Sequence, residues 1–289
     1  MNIRPECVPC LMGRVLFQAK LVNNGTEFES VRAGLSAFSR EFAPGRNSAE
    51  VATEVHRNAY KAMGVSDPYR ELKERADKVA AGYVGRAEEF ISSSENRIKA
   101  AALLAVIGNI MDFGAGLAID YPEEFEGQFG RMVAQGIGSD DTDGMIAAVK
   151  KSRSVIYLFD NCGESLFDTL LIREIQALGV RVVGVVRGEP ILNDVTMDDA
   201  KRTGLDKVPD LILTTGQFAI GIDLKKIGDE LRDEMSKADL IIAKGMANYE
   251  SLSYQKIDIP TVYMLRSKCV PVADSLGVAP DINVVRFVK

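Results

Sequence analysis

The sequence predicts an α/β protein with an all-helical N-terminal part, residues 1–150, followed by a second part, residues 151–289. The second part is predicted to form a doubly wound, mostly parallel, Rossmann-like sheet. Two observations support this division. Up to residue 150, alanine, leucine and charged residues recur at helical spacing, with few β-branched runs. From residue 154, short apolar runs alternate with helical patterns, as expected for right-handed βαβ crossovers.

The composition is typical of a soluble globular protein, with 46% hydrophobic and 26% charged residues among 289. The net charge of -6 argues against a broad nucleic-acid surface. No apolar run reaches the roughly 18 residues that a membrane span needs. Four cysteines do not suggest a disulfide scaffold, so we expect a protein of the reducing cytoplasm without nucleic-acid or membrane partners.

In the helical half, residues 68–91 and 94–110 carry long helical patterns. Asn109 and Asp112 are three residues apart, which would place them on one helix face. Both stand among apolar residues, where burial is costly unless each polar group finds a partner or a ligand. We hypothesise that they reach the cleft between the halves and shape the leaving-group pocket. The alternative is a helix terminus capped by Asp112 and Gly114.

Cys7 and Cys10 have a spacing that can clamp a metal or form a redox pair. A tetrahedral zinc site needs four ligands, and the sequence has no second close pair of cysteines. If the two thiols do bind a second metal, Cys269 is the expected third thiol. The alternative is that Cys7 and Cys10 are small residues packed at a helix start.

Six strands are predicted in the second half, each from a short apolar run. They are residues 154–159, 181–187, 211–214, 240–243, 261–265 and 283–288. Helical patterns lie between most of them, notably at 165–178 and 224–237. Because parallel strands end at the same edge of a sheet, the polar residues that follow them should gather at that edge.

Carboxylate, amide, hydroxyl and ammonium groups follow four of these strands. The alternative is that Asp and Asn are only turn and cap residues, which explains one loop better than it explains the whole set. A lysine directly after a buried strand is explained least well in this way, because lysine is not a typical turn or cap residue. The candidates are Asp160, Asn161 and Glu164 after the first strand, Asn193 and Asp194 after the second, Thr214, Thr215 and Gly216 after the third, and Lys244 after the fourth.

This set of residues suits phosphoester hydrolysis with a divalent metal. Oxygen ligands from Asp160, Asn161 and Asp194 fit Mg²⁺ or Mn²⁺, with Co²⁺ and Ni²⁺ as further candidates. Lys244 supplies a point charge for a phosphate, and the backbone N–H groups of the glycine-containing turns could cradle phosphoryl oxygens. A metal in this place would polarise the phosphoryl group and lower the pKa of a water.

Other hydrolase and nucleotide-binding folds lack their required residues. The turn after the first strand offers only Gly163, whereas a dinucleotide-binding loop needs a glycine triplet. A phosphatase of the haloacid dehalogenase type would have an aspartate where Cys162 stands. The single histidine, His56, lies in the helical half, which argues against a serine-hydrolase triad.

Three motifs occur together in a defined order in the second half of the chain. They are Asp160-Asn161-x-Gly163-Glu164, Gly188-x-Pro190-x-x-Asn193-Asp194-Val195-Thr196-x-x-Asp199-Ala200 and Lys244-Gly245-x-x-Asn248-Tyr249-Glu250. In this order, over essentially the whole chain, they resemble the metal-dependent damage-control phosphatases (domain of unknown function 89, ARMT1-like). The paired cysteines near the N-terminus are similar to those of the microbial branch of that family.

The resemblance implies an enzyme, a metal-dependent phosphatase that hydrolyses phosphomonoesters such as sugar phosphates or damaged phosphometabolites. It implies that Asp160, Asn161 and Asp194 hold the metal and that Lys244 and residues 214–216 bind the substrate phosphate. Asp160 or Asp194 would orient the metal-activated water. Two alternatives remain: a non-catalytic phosphometabolite sensor, and a carboxyl methyltransferase, for which the chain has no glycine-rich adenosyl-methionine loop. Native substrate, native metal and oligomeric state stay open.

Overall fold

The computed structural model describes residues 1–113 and 121–289, so Gly114, a predicted helix cap, lies outside the described residues. Five helices occupy most of the first 108 residues, as the alanine- and leucine-rich patterns predict. They are α1 (Cys7–Val22), α2 (Glu27–Glu41), α3 (Ser48–Met63), α4 (Arg70–Ser93) and α5 (Arg97–Gly108).

Asparagine side chains fix where two of these helices begin. Asn47 accepts a hydrogen bond from the backbone of Glu50 at the start of α3, and Asn96 caps α5 in the same way. Helix α5 ends at Gly108, and Asn109 is its C-terminal cap. The prediction that Asn109 and Asp112 share a helix face is therefore wrong, because the helix stops before either residue.

The predicted all-helical part also contains one short strand. After α5 come α6 (Phe125–Gln135), β1 (Ser139–Asp140) and α7 (Thr142–Val149). Strand β1 pairs in parallel with β7 (Asn283–Val288) at the far end of the chain. "All-helical" is thus wrong for residues 139–140, since two residues are too few to show a strand period.

The six strands predicted from the apolar runs are present, and with β1 they form one sheet. The strands are β2 (Ser154–Leu158), β3 (Arg181–Val186), β4 (Leu211–Thr214), β5 (Leu240–Lys244), β6 (Thr261–Arg266) and β7. Among the described residues their order is β1-β7-β6-β5-β2-β3-β4. Strands β2 to β6 run parallel, and β7 is antiparallel to β6. The doubly wound, mostly parallel sheet is confirmed.

The strand order reverses between β2 and β5, which places a topological switch point at that position. Five helices connect the strands of the second half. They are α8 (Glu164–Gln176), α9 (Met197–Thr203), α10 (Asp229–Lys237), α11 (Gly245–Leu252) and α12 (Val270–Leu276). The pattern predicted as a helix over 224–237 is helical only from Asp229.

Each face of the sheet has its own hydrophobic core. Val155 faces the larger core, which joins side chains of the helical half, such as Leu104, to Phe167 of α8. Ile156 faces the opposite way and packs with Leu231 of α10. The larger core contains residues from both sides of position 150. The domain boundary predicted at that position stays a prediction. No helix among residues 1–113 and 121–289 is long and apolar enough to cross a membrane.

Candidate active site

The turns that follow β2 and β3 lie side by side at the switch point. The backbone N–H of Val195 donates to the carbonyl of Asp160 at 2.8 Å, and that of Cys162 donates to Asn193 at 2.9 Å. Asn161 and Asp194 form an antiparallel bridge. The predicted proximity of the two turns is confirmed, while the metal-binding role of their side chains stays a prediction.

Arg187 links the two carboxylates. Its Nε donates to Asp194 Oδ2 at 2.5 Å and its Nη2 to Asp160 Oδ1 at 3.3 Å. The third nitrogen, Nη1, donates to Asn248 Oδ1 at 2.9 Å, so the whole guanidinium is fixed and only 1% of the residue is exposed. The sequence reasoning missed Arg187 because it took this residue as the end of a strand. The sequence did contain a signal for Arg187, because a charged residue directly after a run of buried valines needs a partner.

The amide of Asn161 is oriented by two carboxylates. Its Nδ2 donates to Asp160 Oδ2 at 2.8 Å and to Glu164 Oε2 at 2.7 Å. Asn109 donates to the same two oxygens, at 3.2 and 2.9 Å, and its own Oδ1 accepts from the backbone of Arg266. Asn109 is therefore a positioning residue for Asp160 and Asn161.

The charges at these turns fit a divalent cation. Burial raises the pKa of Asp160 well above its usual range, and the charges of Asp194 and Glu164 raise it further. Burial also raises the pKa of Asp194, although the charge of Arg187 opposes this. The single positive charge of Arg187 thus balances only part of the negative charge of the two buried carboxylates. A bound cation would balance the rest.

Two oxygen atoms at this point have no hydrogen-bond donor among the described residues: Asn161 Oδ1 and Asp194 Oδ1. Residues 1–113 and 121–289 hold no group of three His, Cys, Asp or Glu side chains arranged to bind a metal. The oxygen donors that meet at these turns are two carboxylates and the amide of Asn161. Two carboxylates with one amide oxygen are a hard, oxygen-only donor set that suits Mg²⁺ or Mn²⁺.

A cavity of about 120 Å³ opens over these turns. Asp160, Asn161 and Asp194 form one part of its wall. The other part comes from the helical half and from the start of α12. Its polar members are Glu6, Arg14, Ser48, His56, Asp112 and the three cysteines Cys7, Cys10 and Cys269. Glu250 of α11 also lines the cavity.

Asp112 reaches this cavity, as predicted, and it is held there by two cations. Arg14 Nη2 donates to its two carboxylate oxygens at 2.9 and 3.1 Å, and Lys268 Nζ donates to Oδ2 at 3.0 Å. Burial alone would raise the pKa of Asp112, but the charges of Arg14 and Lys268 hold it below its usual value. Asp112 is therefore ionised and fixes Arg14 at the cavity wall.

Lys244 does not line the cavity. It is fully buried, and its Nζ donates to the Ala105 carbonyl at 2.8 Å, Glu164 Oε1 at 2.5 Å and Asp168 Oδ1 at 2.6 Å. All three hydrogens of the ammonium are thus used within the protein. These contacts show Lys244 engaged within the protein, and its role as a ligand of the substrate phosphate stays a prediction. Lys244 holds Glu164, which orients Asn161.

The predicted phosphate turn at residues 214–216 is also absent from the cavity wall. Thr214 ends the edge strand β4, which is two strands away from β2. Thr214 Oγ1 accepts from the backbone of Gly216 at 3.2 Å, and Thr215 Oγ1 accepts from that of Gly188 at 3.0 Å. The Thr214 hydroxyl therefore stabilises its own turn, and the Thr215 hydroxyl joins that turn to the one after β3. Substrate contact by residues 214–216 stays a prediction.

Asn193 and Glu164 are fully buried and do not line the cavity either. Asn193 Nδ2 donates to the backbone carbonyl of Met111 at 2.7 Å, and Glu164 accepts from Asn109, Asn161 and Lys244. Direct substrate contact by either residue stays a prediction. Their side chains fix the turns that carry the cavity-lining groups.

Cys7, Cys10 and Cys269 are brought together by two helix starts. Cys7 and Cys10 lie in the first turn of α1, and Cys269 precedes α12. All three are free thiols, and burial raises the pKa of each, that of Cys269 to about 12. They are therefore protonated at neutral pH. Their role as a second metal or redox site stays a prediction.

The position of Lys244 predicts a large stability effect. Lys244→Met leaves the buried carboxylates of Glu164 and Asp168 without their cation, so the free energy of unfolding should fall by about 3–5 kcal/mol. Denaturant unfolding measures this, with the exposed Lys78→Met as the matched control, expected within about 0.5 kcal/mol of the unmodified protein. A Lys244→Met protein of unchanged stability that only needs more substrate would instead support Lys244 as a phosphate ligand.

The chain is similar to known proteins over its whole length. The chain matches the damage-control phosphatase ARMT1-like domain over residues 3–284. It is 40% identical to a damage-control phosphatase of Archaeoglobus fulgidus, with 100% of both chains covered. It is 30% identical to a damage-control phosphatase of Pyrococcus horikoshii, over 96% of this chain and 95% of that protein. The crystal structure of a DUF89 family protein from P. horikoshii superposes with a TM-score of 0.87 at 27% identity, covering both chains completely. The chain therefore belongs to the ARMT1-like damage-control phosphatase domain family.

Proposed function

We propose that this protein is a metal-dependent phosphatase that hydrolyses phosphomonoesters of small metabolites. The observation that carries the proposal is the meeting of Asp160, Asn161 and Asp194 on one cavity wall, with two oxygen atoms left open. Relatives named damage-control phosphatase support the phosphatase assignment. The metal requirement is our inference from the oxygen donor set.

Asp160, Asn161 and Asp194 would hold the metal in this proposal. When bound, a divalent ion polarises the phosphoryl group and lowers the pKa of a coordinated water, which supplies the nucleophile. The protein's contribution is to position the ligands. Arg187 fixes both carboxylates, and the pair Asn109 and Glu164 fixes the amide of Asn161. Asp160 or Asp194 would accept the proton of the attacking water, because both are buried carboxylates on the cavity wall.

The substrates we propose are damaged phosphometabolites, in keeping with the names of the relatives, or sugar phosphates, as the motif resemblance implies. The cavity of about 120 Å³ has room for several water molecules or for a phosphoryl group with part of its alcohol. The cytoplasmic location and the lack of nucleic-acid partners stay predictions.

A phosphate-release screen tests the proposal. Sugar and cofactor phosphates are incubated with the protein and Mg²⁺, Mn²⁺, Co²⁺ or Ni²⁺, and released phosphate is measured with and without a chelator. We expect release from at least one phosphomonoester that a chelator abolishes. Thermal stabilisation by phosphorylated ligands without any release would favour the sensor. Saturable binding of adenosyl-methionine in a parallel titration would favour the methyltransferase.

A further inference from the structure

Arg14 is the only arginine or lysine among the described residues that line the cavity. It comes from α1, in the helical half, whereas Asp160 and Asp194 come from the sheet. The residue is 7% exposed, so its charge is shielded from bulk solvent. The cavity therefore has an acidic wall at the switch point and a cationic group on the helical side.

Asp112 is the carboxylate that directly bonds Arg14 among the described residues, while Asp194 and Glu250 act on it through their charges. Asp112 is shared between Arg14 and Lys268, so two cations face one carboxylate. Within the described part of the chain, only Nη2 of the Arg14 guanidinium is bonded to a carboxylate. An arginine has five N–H donors in a planar fork, so donors remain for a further anion.

Arg14 stays charged and lies close enough to influence both sides of the cavity. Burial alone would lower its pKa, but the charge of Asp112 raises the pKa above its usual value. The charge of Arg14 in turn lowers the pKa of Asp194, and that of His56, in both cases beside the larger effect of burial. Arg14 is thus placed between the acidic wall and His56.

His56 presents an unused acceptor at the same wall. Its Nδ1 lies 3.1 Å from Gln18 Oε1, and with the Gln18 amide in this orientation Nδ1 donates to that oxygen and Nε2 carries the lone pair. Burial, and to a lesser degree Arg14, lowers the pKa of His56 to about 3, which keeps the ring neutral at pH 7. His56 is fully buried and lines the cavity, and its Nε2 has no partner among the described residues. A buried acceptor without a donor is costly unless a ligand supplies one.

We propose that Arg14 and His56 form a substrate subsite in which the guanidinium binds phosphoryl oxygens and Nε2 accepts a hydrogen bond from the alcohol part. Asp112, which Lys268 also bonds, holds the guanidinium in place. The subsite rests on the proposed phosphatase function and replaces Lys244 as the phosphate-binding cation. It selects phosphomonoesters that carry a hydroxyl or amino donor near the phosphate over those with a purely apolar alcohol.

Binding of inorganic phosphate, measured by calorimetry in the presence of Mn²⁺, tests the role of Arg14 separately from turnover. Arg14→Gln should weaken phosphate binding by about 10- to 100-fold, because it removes a charge-assisted hydrogen bond. Arg14→Lys, which keeps the charge, should recover part of this loss. The matched control is Arg97→Gln, an exposed arginine paired with Glu174, which should bind phosphate like the unmodified protein.

Turnover of two probes tests His56. His56→Gln keeps an acceptor near the position of Nε2, whereas His56→Phe removes it. His56→Phe should raise KM for a hexose monophosphate by about tenfold and leave KM for phenyl phosphate unchanged, and His56→Gln should restore the hexose value in part.

The outcomes separate the subsite from the proposed function. Phosphate binding that depends on Arg14, in a protein that releases no phosphate from any ester, supports the subsite and rejects the phosphatase. A working phosphatase whose phosphate affinity is unchanged in Arg14→Gln overturns the subsite and leaves the phosphatase intact. Absence of phosphate binding to the unmodified protein, or equal effects of His56→Phe on both probes, also overturns the subsite.

Discussion

Asp160→Asn and Asp194→Asn are each expected to lower phosphate release by at least about a thousandfold while the fold persists. Each change replaces a charged oxygen ligand by an amide of the same shape, so the loss falls on metal binding and on the acceptor for the water proton. The fold should survive because Arg187 keeps one charged partner in either variant. Phosphate release at saturating metal and substrate measures the effect, and thermal unfolding checks the fold.

Metal-dependent stabilisation provides a second readout that does not depend on turnover. Mn²⁺ at about one hundred times its dissociation constant should stabilise the unmodified protein by about 2.7 kcal/mol and should not stabilise the two variants. Asp198→Asn, at an exposed position of α9, is the matched control and should behave like the unmodified protein. Normal turnover in either Asp160→Asn or Asp194→Asn would remove that carboxylate from the active site.

The sheet could be predicted from the sequence because its central strands are continuous apolar runs with helical patterns between them. A run of this kind marks a strand buried on both faces, as β2 and β5 are. The chain direction at the edge was not predictable in the same way. Strand β7 follows helix α12 and yet runs antiparallel beside β6, and its partner β1 is only two residues long. Neither feature leaves a periodicity in the sequence.

The acidic wall was predictable for the same reason, since residues that follow neighbouring parallel strands must meet. The positions of the cationic side chains were not predictable, because a charged side chain after a strand can point to the cavity or into the protein. Lys244 points inward, where Glu164 and Asp168 stand four residues apart on one face of α8. That spacing was visible in the sequence and indicates a buried cation beside the helix. The contact of Arg14 with Asp112 joins residues 98 positions apart, and no local pattern reveals it.

Gly245 shows how closely the backbone of the fourth turn approaches the acidic wall. It is the first residue of α11 and has a φ of +75°, a conformation that L side chains rarely adopt. A Cβ at this position would lie 1.7 Å from Asp160 Oδ2 and 2.2 Å from its Cγ. Asp160 Oδ2 accepts hydrogen bonds from Asn161 and Asn109, so the carboxylate cannot move away without losing them. Only glycine at position 245 therefore leaves room for the Asp160 carboxylate where it lies.

Gly245→Ala is accordingly expected to lower turnover by about a hundredfold or more, because a displacement of Asp160 by about 1 Å misplaces a reacting group. The unusual φ should also reduce the free energy of unfolding by about 1 kcal/mol. Gly179→Ala separates the two effects, since Gly179 has a φ of +80° and no atom within 4 Å of an added Cβ. That control should lose similar stability and keep full activity. Equal activity in Gly245→Ala and Gly179→Ala would show that the enzyme tolerates a displaced Asp160, against the role assigned to that carboxylate.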